Sequence, residues 1–208
     1  MMTRRTFLLA ALALCLAVAQ SERAAAASAD EARSFVQDLA QTAITTVADK
    51  KLADDARNER FRQLFVSAFD LPEVGRFVLS RYWRGATPAQ QADFLKLFED
   101  TTVLVWSRRF KDYDGERLQT LGANRDGATG WVVESQILRQ RGQPIPVQWR
   151  LDQSADGALH ITDIVPEGVS MALTQRQDYG AAMQSNGGNV DALLASMRAK
   201  IVQLRKVE

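Results

Sequence analysis

His160 is the single histidine of the chain and Cys15 its single cysteine, so any chemistry that needs imidazole or thiolate must use one of these two side chains. Cys15 lies inside the apolar run of residues 7–19, which leaves the rest of the chain without a nucleophilic sulfur or a disulfide. His160 sits between Leu159 and Ile161 in an alternating stretch, where a sheet residue explains it more simply than a general base. Zinc, haem or thiolate chemistry would need ligands that these two residues do not provide. Asp112-Tyr113-Asp114-Gly115 opens like a calcium loop, yet the glycine and terminal glutamate that such a loop requires do not follow. The acidic pairs Asp54-Asp55 and Glu99-Asp100 fall on helical patterns, where a solvated face accounts for them. Gly187-Gly188 lacks the lysine and hydroxyl residue of a phosphate loop and reads as a hinge between helices. The candidate chemistry therefore points away from catalysis and toward binding.

The segment Glu167-Gly168-Val169-Ser170-Met171 carries that reading further. It joins a strand pattern to a helix pattern, with Gly168 permitting a tight turn and Ser170 placed to cap the first helical turn. It supplies a joint without a catalytic group.

The elements that hold this joint can be read from periodicity. Apolar residues recur at helical spacing over 30–48 (Ala32, Val36, Leu39, Ala43, Val47) and over 54–69 (Phe61, Leu64, Phe65, Ala68). A short helix starts near Pro72 and ends at Gly85. Thr87-Pro88-Ala89-Gln90 is a capping box with proline in the first turn, so a long helix follows. Its inward stripe is expected at Gln91, Phe94, Phe98, Thr101 and Val105, widened by Leu95, and its end near Asp114-Gly115. Alternation then takes over in 116–121, 131–138, 144–151 and 158–165, with turn residues at Asn124-Arg125-Asp126-Gly127, Arg141-Gly142 and Asp156-Gly157. In the third of these strands Ile145, Val147, Trp149 and Leu151 share one face. Helical patterns return after Ser170, break at 185–189, and resume behind a cap at Asn189. The fold class is α+β: a curved four-stranded antiparallel sheet packed against helices from both ends of the chain.

Arg4-Arg5 followed by the apolar run and the alanine tract at 24–27 reads as an export signal over residues 1–27, with cleavage after Ala27 or Ala29. The arginine pair fits an ordinary secretory signal and a twin-arginine signal alike. Leu14 stands before Cys15 where a lipoprotein signal needs a small residue. Residues 1–27 hold Arg4, Arg5, Arg23 and Glu22, so the formal charge of +1 falls to −1 without them. That balance favours neither nucleic acid nor an anionic surface as a bulk partner. Residues 28–208 then form a single domain, and roughly 180 residues suffice for one packed core.

Two blocks read together resemble the periplasmic phospholipid-binding proteins of the Mla system, also called the toluene-tolerance family. The first comprises Phe69-Asp70, Gly75-Arg76-Phe77-Val78-Leu79, Arg81-Tyr82-Trp83-Arg84, Thr87-Pro88 and Phe94-Leu95-Lys96-Leu97-Phe98. The second comprises Asp163-Ile164-Val165-Pro166 with Glu167-Gly168-Val169-Ser170-Met171, then Gln175-Arg176 and Gly187-Gly188-Asn189-Val190-Asp191-Ala192-Leu193-Leu194. The order of elements agrees over the whole chain after the signal. Ser80 stands where the family usually has glycine, and Trp106 where tyrosine is common.

The resemblance implies a periplasmic carrier without a chemical step and without a cofactor, its cargo a phospholipid in an apolar cavity enclosed by the sheet and helices. Its partners would be an outer-membrane lipoprotein complex and an inner-membrane ABC transporter complex with a membrane-anchored substrate-binding subunit, and its task the maintenance of outer-membrane lipid asymmetry. The residues available to line the cavity are Phe69, Val74, Phe77, Val78, Tyr82, Phe94, Phe98, Val105, Phe110, Tyr113, Val133, Val147, Trp149, Val169 and Met171. Core packing demands the same periodicity from each of them. Arg76, Arg81, Arg84 and Arg176 are the cations available to hold a headgroup phosphate or to dock partners, with carboxylate pairing as their competing use. Trp83 is placed either to cover the mouth or to close its helix turn. A carrier of hopanoids or other hydrophobic ligands, a small cone-fold hydrolase or isomerase using His160 or an aspartate, and an envelope chaperone are the competing readings.

Overall fold

The computed structural model describes residues 26–206. The expected export signal lies outside the described residues except for its last positions. Helices α1 (Ala29–Val47), α2 (Asp54–Ala68) and α3 (Leu71–Leu79) lead through a 3-10 segment (Ser80–Gly85) into the long α4 (Pro88–Arg109). Strands β1 (Arg117–Asp126), β2 (Gly130–Leu138), β3 (Ile145–Gln153) and β4 (Leu159–Pro166) follow, and α5 (Met171–Ser185) and α6 (Val190–Lys206) close the fold. Among the described residues no helix is long and apolar enough to cross a membrane.

The caps explain the boundaries. Ser28 and Glu31 form a capping box at α1, Asp70 accepts the Glu73 N–H at α3, and Thr87 with Gln90 forms the box read from sequence at α4. Asn189 caps α6 by accepting the Ala192 N–H at 3.1 Å. Gly187 (φ 66°) and Gly188 (φ 75°) take the left-handed turn that releases the chain from α5.

The sheet is a meander in the order β1-β2-β3-β4, antiparallel throughout. Two irregularities bend it: Leu121 is the extra residue of β1 between Thr120 and Gly122, and Thr162 the extra residue of β4 opposite Arg150 and Leu151. The alternation read for β3 holds, with Val147 and Leu151 buried and Gln148, Arg150 and Asp152 exposed. Both edges are closed by single residues. Gln37 of α1 donates to the Leu118 carbonyl and accepts from the Thr120 N–H, and the Asp70 N–H reaches the Ile161 carbonyl.

Three expectations need correction. The turn after β1 occupies residues 127–129, because Asn124, Arg125 and Asp126 remain paired with β2 and the Arg125 guanidinium lies 4.5 Å over the Trp131 ring. Helix α4 ends at Arg109 in a 3-10 turn (Phe110–Asp112) rather than near Gly115, and there the Phe110 ring packs against Phe61 at 5.6 Å. The inward stripe of α4 is also different. Phe94, Leu97, Phe98, Asp100, Val103, Leu104 and Ser107 are buried, while Gln91, Leu95, Thr101 and Val105 are half-buried. α4 packs on α6 and on α2, where Arg62 pairs with Glu99 and Asp100, so its buried surface wraps beyond one stripe.

Packing divides into two clusters. One gathers α2, α3, α4, α5 and α6 around Phe65, Val78, Leu79, Phe94, Phe98 and Met183. The other sets Ala32, Val36 and Ala68 against the sheet residues Trp131, Val133, Leu151 and Ile161. Phe69 packs against both.

Candidate functional site

A cavity of about 400 Å³ opens where these clusters diverge. α1 contributes Leu39, Ala40, Ala43 and Ile44; α2 contributes Phe61, Leu64 and Phe65; α4 contributes Phe98, Thr102 and Trp106. The sheet supplies Leu118, Ile137, Val147, Trp149, Ile164 and Pro166, and the first turn of α5 supplies Met171, Ala172 and Gln175. The wall positions of α4 are spaced four apart and lie on one face of the helix. An aromatic row runs along the α2 side, from Phe110 to Phe61 (5.6 Å), to Phe65 (6.0 Å) and to Phe69 (4.6 Å between centroids).

On the opposite wall the Trp149 indole N–H donates to Ser135 Oγ at 2.9 Å, and that hydroxyl donates to the Val147 carbonyl at 2.9 Å. At the joint, the Asp163 carboxylate accepts from Ser170 Oγ at 2.5 Å and from the Ala172 N–H at 2.8 Å. Ser170 in turn accepts from the Leu173 N–H at 3.0 Å, so it caps α5 as the sequence suggests. Glu167 (φ 50°) and Gly168 (φ 82°) make the tight turn that brings this cap beneath the end of β4.

Of the residues singled out from sequence, Phe69, Val74, Phe98, Phe110, Tyr113, Val147, Trp149 and Met171 line the cavity. Phe77, Val78, Tyr82 and Phe94 pack in the helical cluster. Val133, on the same sheet face as Trp149, lies where α1 covers the sheet with Ala32 and Val36. Val105 is half-buried outside the lining, and Val169 is 59% exposed at the turn. None of the four arginines lines the cavity. Arg76 pairs with Glu73 at 3.4 Å, Arg81 donates to the Tyr82 hydroxyl at 2.8 Å, Arg176 stacks 4.9 Å over Phe77, and Arg84 is exposed. Trp83 packs edge-on against Phe94 at 6.5 Å, on the helical core.

The walls missed by that selection come mainly from α1 and α2. Leu39, Ala43, Phe61, Leu64 and Phe65 were legible as helical stripes, but a stripe facing a cavity and one facing a core have the same spacing. Ser135 carried no signal, since a serine in an alternating strand says nothing about which face it needs.

The polar side of the lining is small. Thr102 Oγ bonds back to the Phe98 carbonyl at 2.8 Å, and Glu116 Oε2 accepts the Asp114 N–H at 2.8 Å. His160 is absent from the lining, and its Nδ1 is buried without a hydrogen-bond partner. Among the described residues no group of three or more His, Cys, Asp or Glu side chains is arranged to hold a metal ion. The arrangement can exclude water from apolar surface.

The sequence pattern of the family described as MlaC protein matches residues 37–199. The chain belongs to the MlaC family. This MlaC-family chain is 21% identical over 126 residues to the toluene tolerance protein ttg2D of Pseudomonas putida, a match covering 61% of the chain and 58% of that relative. The chain thus spans less than two thirds of the relative's length. Its fold resembles that of the phospholipid-binding protein from Ralstonia solanacearum, solved in complex with a phospholipid. That likeness has a TM-score of 0.74 at 18% identity and covers 84% of this chain and 98% of the other.

Proposed function

We propose that this MlaC-family protein is a periplasmic lipid carrier that holds phospholipid acyl chains in the cavity between sheet and helices. It passes them between outer-membrane and inner-membrane complexes, so keeping phospholipid out of the outer leaflet. The observation that carries the reading is the apolar cavity itself, walled by α1, α2, α4, α5 and the inner sheet face. A two-chain lipid exposes about 30 methylenes at ~0.8 kcal/mol each, on the order of 25 kcal/mol against entering water. A carrier must cover those chains while leaving the headgroup wet. Family membership and the phospholipid-bound relative of the same fold support this reading. The export signal at 1–27 and the single domain at 28–208 belong to it.

The test is chemical. Organic extracts of the purified protein, analysed by mass spectrometry, should contain phospholipid in stoichiometric amount, and delipidated protein should take it up from vesicles. Extracts free of lipid together with no uptake would sink the proposal, and a hopanoid in the extract would change its cargo.

A further inference from the structure

We propose that Phe65, Val74, Phe98 and Val147 form the closed end of the cavity and set the acyl-chain length of the cargo, an assignment that rests on the lipid-carrier reading above. These four, from α2, α3, α4 and β3, are the buried side chains of the lining, with exposures of 6%, 9%, 3% and 3%. The other lining residues keep more of their surface free. The four therefore mark where the space narrows until nothing more fits beside them. What stands behind them is packed: the Phe98 ring lies 6.0 Å from Phe94 and 5.9 Å from Tyr179, and Phe65, Val74 and Phe98 all belong to the helical core cluster.

The open end follows from the same walls. Thr102 and Trp106 succeed Phe98 at four-residue steps along α4, so Trp106 stands about 12 Å further along the helix. Trp106, Phe110 and Tyr113 are half-buried there, and the exposed Arg109 guanidinium lies 4.6 Å over the Trp106 ring. Along α2 the direction agrees, since the aromatic row passes from buried Phe65 to half-buried Phe61 and Phe110. A chain that enters tail first at the C-terminal end of α4 must stop against the four buried residues. A methylene inside the cavity recovers the apolar contact it had in a bilayer, whereas one that finds no room is left in water. Each excluded methylene costs about fourfold in affinity, from ~0.8 kcal/mol per methylene.

The test reads chain length. Delipidated protein is incubated with vesicles containing equal amounts of monounsaturated phosphatidylcholines of graded chain length, and the bound lipid is extracted and quantified by mass spectrometry. The wild type should take up shorter chains evenly and discriminate against longer ones about fourfold for each methylene past the limit. Phe98→Leu, which removes about one methylene of volume from the closed end, should raise the ratio of long to short chains about fourfold. Val74→Leu, which adds one methylene there, should lower it about fourfold. Both substitutions disturb packed side chains, so a mere loss of stability would move the two ratios together, whereas a shifted floor moves them apart. Asn189→Ala, which removes the α6 cap away from the cavity, should lower the urea midpoint and leave the ratio unchanged. Should Phe98→Leu fail to fold, Val74→Leu decides alone. Equal uptake of every length by the wild type, or ratios in the folded variants that stay unchanged or shift the same way, overturns the assignment and leaves the carrier reading intact. A wild type that takes up no lipid overturns the carrier reading and the assignment with it.

Discussion

Ser135 accepts the indole N–H of Trp149 across the β2–β3 pair, at 2.9 Å, on the inner face of the sheet. Ser135 is 3% exposed, and its hydroxyl also donates to the Val147 carbonyl, so one buried hydroxyl satisfies itself and fixes a large ring in the cavity wall. Ser135→Ala should leave the indole N–H without its partner and cost about 1–3 kcal/mol. Urea denaturation should show the midpoint falling with the slope unchanged. An unaltered midpoint would mean that the indole finds another acceptor.

Asp163 ties the end of β4 to the first turn of α5, the turn that supplies Met171 and Ala172 to the cavity. A carboxylate at a helix N-terminus gains from the helix dipole as well as from the two hydrogen bonds. Asp163→Ala should cost about 1–3 kcal/mol, and Asp163→Asn about 1, since the amide keeps an acceptor and loses the charge. Hydrogen exchange should localise the loss of protection to the start of α5. Loss spread evenly over the fold would show that this turn has no separate opening.

The joint from Glu167 to Met171 was legible because each of its parts is a local device: a turn residue in a tight backbone, then a serine placed before a helical pattern. The β3 alternation and the Thr87–Gln90 box were legible for the same reason. The single-stripe reading of α4 failed because burial there is set by α2 and α6, which lie far away in sequence. Arg57 shows the limit best. Nothing in the helical spacing singles it out, yet it is 2% exposed and donates to the carbonyls of Val47, Asp49 and Leu52 where α1 ends. Which apolar residues meet the cavity and which meet the core was beyond reach for a different reason. Val133 and Trp149 are register partners on one face, but only the second meets the gap, and the difference lies in where α1 crosses the sheet.

Val147 lines the cavity and is 3% exposed. Replacing it by tryptophan drives a large ring past close neighbours toward the cavity, so the usual overpacking cost of about 1–3 kcal/mol applies. Val147→Trp should therefore fold with stability lowered by about that amount and carry several-fold less lipid in organic extracts. Full lipid occupancy in a folded variant would remove Val147 from the lipid-contacting wall.

Ser80 ends α3 with φ 55° and ψ −127°, a conformation that suits glycine and strains a residue with a Cβ. Relief of about 1–3 kcal/mol of strain outweighs the 0.5–1 kcal/mol by which glycine loosens the unfolded chain, so Ser80→Gly should stabilise by about 1 kcal/mol. Thermal melting should rise by about 2–4 °C. A lower melting temperature would mean that the serine side chain repays its strain through a contact of its own.

Tyr179 packs edge-on against Phe94 at 5.4 Å and tilted against Phe98 at 5.9 Å, in the cluster behind the cavity wall. Burial first, and the neighbouring Asp178 charge second, raise its phenol above the ordinary value of 10.0. Above pH 10 the unfolded chain releases this proton and the folded chain keeps it, so stability that is full below pH 10 is lost as pH rises toward the folded value. The slope is at most about 1.4 kcal/mol per pH unit, less where solvent reaches the ring. Urea midpoints measured from pH 8 to 11 should fall at the alkaline end in the wild type and fall less steeply in Tyr179→Phe. Parallel alkaline branches in the two proteins would assign the loss to other groups and leave Tyr179 as packing alone.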